Sequence, residues 1–124
     1  MNKEELCIGN IVIFEDSEYI VKSIKAEYLF LSRNKPDAGL EVARLCDIFG
    51  KKIDESFLID LGFNQDKYKF FKNCHGNYIM YNMETNTLSV DCLGIKLKRV
   101  IIPDLKYVHE FQNLFTILKI KFED

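Results

Sequence analysis

The sequence predicts an α+β protein with four parts: an N-terminal SH3-like or rolled β-meander, a short connecting helix, an antiparallel sheet and a C-terminal helix that closes it. Two observations carry this prediction. Residues 11–32 and 67–102 contain short runs rich in β-branched and aromatic residues, separated by turn signals. Residues 54–62 and 105–118 instead carry helix-capping residues or apolar residues at helical spacing.

Length and composition fit one compact domain. The chain has 124 residues, of which 48% are hydrophobic and 13% aromatic, so it can bury a core without disulfide bonds. We expect a single domain over residues 1–124. A division into two subdomains, a β-meander at 1–49 and the remaining elements at 50–124, is kept as an alternative. The net charge of −2 argues against a dedicated nucleic-acid binder, which usually has a basic surface.

The first third of the chain is predicted to consist of strands. Residues 11–14 follow Gly9-Asn10, a turn signal, and residues 19–25 and 27–32 continue the pattern. Three short strands joined by tight turns make a strongly bent meander, which forms half of an SH3-like barrel. After a loop over 33–39 with Pro36 and Gly39, the alternation in 40–48 predicts a fourth strand.

The helix predicted next is short. Asp54 is a good N-cap, and Ile53 and Leu58 have the spacing of a hydrophobic staple around it. Gly62 is a C-terminal stop signal. The helix therefore has about two turns, and it connects the two strand-rich parts of the chain.

The second half returns to strands, at residues 67–72, 78–82, 87–92 and 95–102. The alternation is cleanest in 87–92, where Leu88, Val90 and Cys92 should point inward. Such alternation is typical of an antiparallel sheet with one face packed on the core and the other exposed to solvent. Pro103-Asp104 is expected to end the last strand and to cap the closing helix.

The closing helix has an apolar stripe and an opposite polar row. At about 100° per residue, the stripe consists of Tyr107, Phe111, Leu114, Phe115 and Leu118, with Val108 at its flank. The polar row consists of His109, Gln112, Asn113 and Thr116. In one interpretation this row is a solvated helix face. In the other interpretation the row binds a partner or is covered by the N-terminal half. The row contains no lysine or glutamate, which exposed helix faces usually carry, and this favours the second interpretation. These four residues are our partner-binding candidates.

Four lysines are the candidates for nucleic-acid binding. Lys67 and Lys69 alternate with aromatic residues on one predicted strand, and Lys96 and Lys98 alternate with apolar residues on another. If the two strands are neighbours, the lysines share one sheet face that could follow a phosphate backbone. The alternative is an ordinary solvated face, where lysine also discourages edge pairing.

Catalytic motifs are absent from the sequence. The histidines are His75 and His109, and the four cysteines are widely spaced without a C-x-x-C pair. Cys74 and His75 are adjacent, and adjacent side chains rarely reach one metal or one substrate atom. We predict no catalytic activity, no metal and no cofactor. The N-terminus lacks the apolar segment of a signal peptide, so we expect a cytoplasmic chain with reduced thiols and no membrane association.

Three segments carry a resemblance to a known family. "YVHEFQNLF" near the C-terminus, "LCIGNIVIF" near the N-terminus and "IDESFLIDLGF" in the middle occur in that order. They resemble a family of small uncharacterised proteins of Bacteroides-type bacteria and their phages and prophages. The matching positions are Leu6, Ile8, Gly9 and Asn10 in the opening segment, and Tyr107, Val108, His109, Gln112, Asn113 and Leu114 in the closing one. Asp54 departs from the threonine usual there.

The resemblance implies a mobile-element context and no particular activity. With the absence of catalytic motifs, it favours a non-enzymatic protein-interaction module whose partner is a host or phage protein. The alternatives are a nucleic-acid-binding accessory protein that uses the lysine face, and a virion component.

Overall fold

A computed structural model of the chain describes residues 3–33, 39–92 and 98–118. It confirms the α+β class: the described residues form two antiparallel five-stranded sheets and a C-terminal helix. The strands are β1 Ile11–Phe14, β2 Ser17–Lys25, β3 Tyr28–Ser32, β4 Leu40–Arg44, β5 Phe49–Gly50, β6 Asn64–Asp66, β7 Lys69–Cys74, β8 Asn77–Asn82, β9 Thr87–Cys92 and β10 Lys98–Ile102. The α-helices are α1 Glu55–Asp60 and α2 Val108–Ile117.

The chain divides into two compact units. Unit 1 comprises Met1–Lys52 and Tyr107–Leu114, and unit 2 comprises Ile53–Lys106 and Phe115–Asp124. The first two turns of α2 therefore belong with the N-terminal residues. Both units therefore consist of two separate segments of the sequence.

Unit 1 contains the sheet with strand order β4-β3-β2-β1-β5. Alternate residues of its strands point into one core, as a period of two requires. The buried residues of that core are Leu6, Val12, Phe14, Tyr19, Val21, Leu29, Leu31, Ala43 and Ile48. β2 changes register between Val21 and Ser23, which bends this long strand.

The predicted fourth strand is too long. β4 ends at Arg44, and a 3-10 turn occupies Leu45–Asp47 before the two-residue strand β5. Ala43 and Ile48 both pack in the core of unit 1 although they are five positions apart. A continuous strand would place them on opposite faces, so the turn breaks the period of two. β5 then pairs antiparallel with β1, with Ile13 opposite Phe49.

Unit 2 contains α1 and the sheet β10-β9-β8-β7-β6. The predicted N-cap is confirmed, since the Asp54 carboxylate accepts a hydrogen bond from the Phe57 backbone N–H at 2.8 Å. Leu88 and Val90 are buried as the alternation predicts, while the side chain of Cys92 lies outside the described residues. The short strand β6, which has no apolar residue, was not predicted.

The closing helix begins later than its predicted cap. Asp104 does not cap it, because Lys52 and Tyr107 form an antiparallel bridge and α2 starts only at Val108. The Val108 N–H donates to the Lys51 carbonyl at 2.8 Å, and the Glu110 carboxylate accepts from the Tyr107 N–H at 3.1 Å. These contacts satisfy N–H groups that an uncapped helix start leaves unpaired.

Candidate functional site

Two residues of the predicted polar row are held by the N-terminal segment of unit 1. The Asn113 side chain accepts a hydrogen bond from Asn10 Nδ2 at 2.8 Å and donates one to the Glu5 carbonyl at 2.9 Å. Gln112 Oε1 accepts from the Ile11 backbone N–H at 2.9 Å and lies 3.4 Å from Asn10 Nδ2. We call Asn10, Gln112 and Asn113 the amide cluster.

The local backbone presents Asn10 to the helix. Asn10 is buried, and its Oδ1 accepts from the Cys7 N–H at 2.7 Å, which closes the turn that contains Gly9. Gly9 has φ +95°, a backbone conformation that residues other than glycine rarely adopt. Two of the segments that carry the family resemblance, "IGN" and "QN", are thereby hydrogen-bonded to each other. These contacts correspond to the alternative in which the N-terminal half covers the row.

The amide cluster predicts a loss of stability for one near-isosteric substitution. Asn113→Asp replaces a donor by an oxygen that faces the Glu5 carbonyl. We expect this variant to lower the unfolding free energy by about 0.5–1.5 kcal/mol, the net contribution of one hydrogen bond. Urea denaturation measures the loss, and a variant as stable as the parent chain would contradict the hydrogen-bond assignment.

His109, the first residue of the row, is buried rather than solvated. It is 3% exposed, and its ring stacks on Tyr107 with centroids 5.8 Å apart and an interplanar angle of 21°. Gly50 makes this packing feasible, because a Cβ at that position would lie 2.8 Å from Tyr107 Cδ1 and 3.0 Å from His109 Cε1. Glycine at position 50 is thus required by close approach of two rings.

Burial favours the neutral form of His109. Burial lowers its pKa below the ordinary histidine value, and the nearby Glu110 and Glu5 oppose this shift without reversing it. Its buried Nδ1 has no hydrogen-bond partner among the described residues. Buried polar atoms usually have a hydrogen-bond partner, so this nitrogen is an exception among the described residues.

The lowered pKa of His109 predicts a pH effect on stability. Above the unfolded-state pKa of about 6.5, the imidazole is neutral in both states and contributes no pH dependence. As the pH falls below that value, the unfolded chain takes up the proton first, so the folded state loses stability. Thermal melts at pH 7.5 and 5.5 should show this loss. It should shrink in His109→Gln and persist in His75→Gln, which alters an exposed turn residue.

Thr116 and the lysine candidates lie elsewhere. Thr116 is exposed and belongs to unit 2. Lys67 lies in the turn between β6 and β7 with φ +58°, and Lys96 lies outside the described residues. Lys69 on β7 and Lys98 on β10 are separated by β8 and β9. The condition for a shared lysine face, that the two strands are neighbours, is not met.

Among the cysteines and histidines outside α2 whose side chains are described, Cys74 is the buried one. Cys74 is buried at the end of β7, and His75 follows it at φ +49° in an exposed turn. Cys7 and Cys46 are exposed. Across the same ranges, no three His, Cys, Asp or Glu side chains are placed to hold a metal ion.

The sheet edge at β4 is a surface that the sequence analysis did not single out. Leu40 and Val42 are 63% and 57% exposed, and β4 pairs only with β3 in its sheet, as far as the described residues go. The alternation of Leu40 and Val42 placed them on one side of a strand. It did not show that Ala43, rather than either of them, enters the core.

Comparisons with known proteins do not extend this description. No family model, no curated protein and no solved structure matches the chain significantly. Within the described residues, no helix has both the length and the apolar character needed to cross a bilayer.

Proposed function

We propose that the chain is a non-enzymatic protein-interaction module that binds a partner protein along the β4 edge of unit 1. The observation that carries this proposal is the exposure of Leu40 and Val42 on an edge strand. An edge strand presents unpaired backbone N–H and C=O groups, and native proteins usually protect such an edge with charge or proline. Here Leu40 and Val42 are exposed beside the charged residues Glu41 and Arg44.

The neighbouring strand extends the apolar surface. Val42 lies opposite Phe30, which is half-buried, and Arg44 lies opposite Tyr28, which is exposed. Contiguous apolar surface of this kind marks interaction sites more often than isolated exposed residues do. A partner that adds a strand to β4 gains main-chain hydrogen bonds and contacts with Leu40, Val42 and Phe30.

Two basic side chains, Lys25 and Arg44, border this surface, and the exposed Glu41 lies between Leu40 and Val42 on β4. Lys25 Nζ lies 5.9 Å from the centroid of the Phe30 ring, and the exposed Arg44 ends β4. The partner segment that fits is an extended one with alternating apolar residues and an acidic residue beside them. The polar row of α2, the surface first considered for partner binding, is engaged within unit 1 at Gln112 and Asn113.

Site-specific photo-crosslinking tests this proposal. A photoreactive residue at Val42 should give a discrete adduct with a foreign protein in extracts of cells that encode the chain. Excess unlabelled chain should compete for the adduct, and the Leu40→Lys/Val42→Lys variant should not. A photoreactive residue at Ile101, an exposed apolar position on β10, is the matched control. Absence of an adduct at Val42, or equal competition by the double variant, would overturn the proposal.

Two finer proposals accompany this function. We infer that unit 1 is SH3-like, supported by its strand order and by the 3-10 turn after which β5 returns to pair with β1. We also infer a phage or prophage origin, supported by the resemblance of the opening, middle and closing segments. A virion component remains an alternative of the same origin, and co-purification of the chain with particles would favour it over a host-directed module.

A further inference from the structure

We propose that unit 1 has a second binding site, a pocket beside β5 that accepts the guanidinium group of an arginine side chain from a partner protein. The pocket has a volume of about 360 Å³ and is lined by Glu5, Phe49, Gly50, Tyr107, His109 and Glu110, together with Ile48. β5 is at the opposite end of the strand order from β4. The site is therefore distinct from the proposed β4 contact and does not depend on it.

The charges that line the pocket select a cation. Glu5 and Glu110 contribute two carboxylates, and none of the described lining residues is a lysine or an arginine. Lys51 follows Gly50 in sequence, but its ammonium group is paired with Glu18. An anionic ligand such as a phosphate would meet two like charges, whereas a guanidinium group can hydrogen-bond to carboxylates in a fixed fork geometry.

The aromatic residues favour a flat cation over a compact one. Phe49 is 66% exposed although it belongs to a strand, and Tyr107 is half-buried in the same lining. Guanidinium groups stack on aromatic rings and are more weakly hydrated than ammonium groups, so they lose less on entering such a pocket. Two carboxylates beside two aromatic rings make an arginine side chain the best chemical fit.

His109 supplies an independent indication of a ligand. It lines the pocket, it is almost completely buried, and its Nδ1 has no partner within the described part of the chain. Its Cε1, which lies between the two ring nitrogens, faces Gly50, a residue of the same lining, so the nitrogen-bearing edge of the ring is near the pocket. Because burial lowers its pKa, the ring adds no positive charge that would oppose a cation, and a neutral ring keeps one nitrogen able to accept a hydrogen bond.

The test uses three short blocked peptides that differ at one residue: arginine, citrulline, which is its neutral isostere, or lysine. Each is titrated into the ¹⁵N-labelled full-length chain and followed by NMR chemical shifts. We expect the arginine peptide to shift the backbone amides of Phe49, Gly50 and residues 107–110. We expect it to bind at least about tenfold more tightly than the citrulline peptide, a difference of about 1.4 kcal/mol, and more tightly than the lysine peptide.

Charge-neutralising variants identify the groups responsible. Glu110→Gln keeps an oxygen that can accept from the Tyr107 N–H, and Glu5→Gln leaves the backbone carbonyl that binds Asn113 intact. Each should weaken binding of the arginine peptide severalfold without disturbing the rest of the spectrum. Glu41→Gln, on the exposed edge strand β4, is the control and should leave binding unchanged. Equal binding of the citrulline or lysine peptide, shifts confined to other residues, or unchanged binding in both pocket variants would overturn the proposal.

Discussion

Replacing Phe111 by alanine should lower the free energy of unfolding by about 3–5 kcal/mol. Phe111 is 1% exposed and is among the largest fully buried side chains of the described chain. Truncation removes the ring, so the free energy gained by burying its apolar surface is lost. It also leaves a cavity that the surrounding residues fill only in part. Urea denaturation followed by circular dichroism measures the loss.

The matched control for Phe111→Ala lies on the same helix. Ile117 is 77% exposed near the end of α2, so Ile117→Ala should change the unfolding free energy by less than about 0.5 kcal/mol. A loss below about 1 kcal/mol for Phe111→Ala would show that the apolar stripe of α2 is not a core surface.

Simultaneous replacement of His109, Gln112 and Asn113 by alanine should have the second large effect. Alanine favours the helix, so local propensity does not oppose the change. The cost arises because the Ile11 N–H and the Asn10 amide lose part-buried hydrogen bonds, at about 1–3 kcal/mol for each group left unpaired away from solvent. The exposed Glu5 carbonyl loses one further hydrogen bond. Loss of the buried His109 ring adds to it. We expect the melting temperature to fall by several degrees at least.

The outcome of the triple variant distinguishes the two interpretations of the polar row. A solvated face would leave the melting temperature unchanged, since none of the three residues would then contribute a buried contact. Ile117→Ala, at an exposed position of the same helix, is the comparison for replacement of a surface residue. A triple variant as stable as the parent chain would contradict the hydrogen bonds of the amide cluster.

The sequence predicted the elements whose signals are local. β1 and β9 have the predicted bounds, and Asp54 caps α1, because alternation and capping depend on neighbours within a few residues. Elements defined by distant partners were missed. β5 has two residues, and it becomes a strand only through pairing with β1, so no pattern within Phe49–Gly50 could reveal it. The late start of α2 likewise depends on the pairing of Tyr107 with Lys52.

The candidate sites were predictable to a similar, limited degree. The periodicity of α2 placed His109, Gln112 and Asn113 on one side, and their amide and imidazole groups suggested a setting other than open solvent. The partner of Asn113 is 103 positions away along the chain, and a single sequence does not specify such a contact. The pocket was missed because its carboxylates and rings come from three separate segments. The separation of β7 from β10, which carry Lys69 and Lys98, was not predictable for the same reason, since strand order is a long-range property.

A double-mutant cycle between Asn10 and Asn113 tests most directly whether the polar row of α2 is an intramolecular contact. The two side chains are joined by a hydrogen bond of 2.8 Å, so Asn10→Ala and Asn113→Ala should remove the same interaction. We predict a coupling free energy of about 0.5–3 kcal/mol from urea denaturation of the two single variants and the double variant. The control cycle of Asn10→Ala with Ile117→Ala should be additive within about 0.5 kcal/mol. A coupling free energy between Asn10 and Asn113 that is as small as that of the control cycle would contradict an intramolecular contact of the polar row.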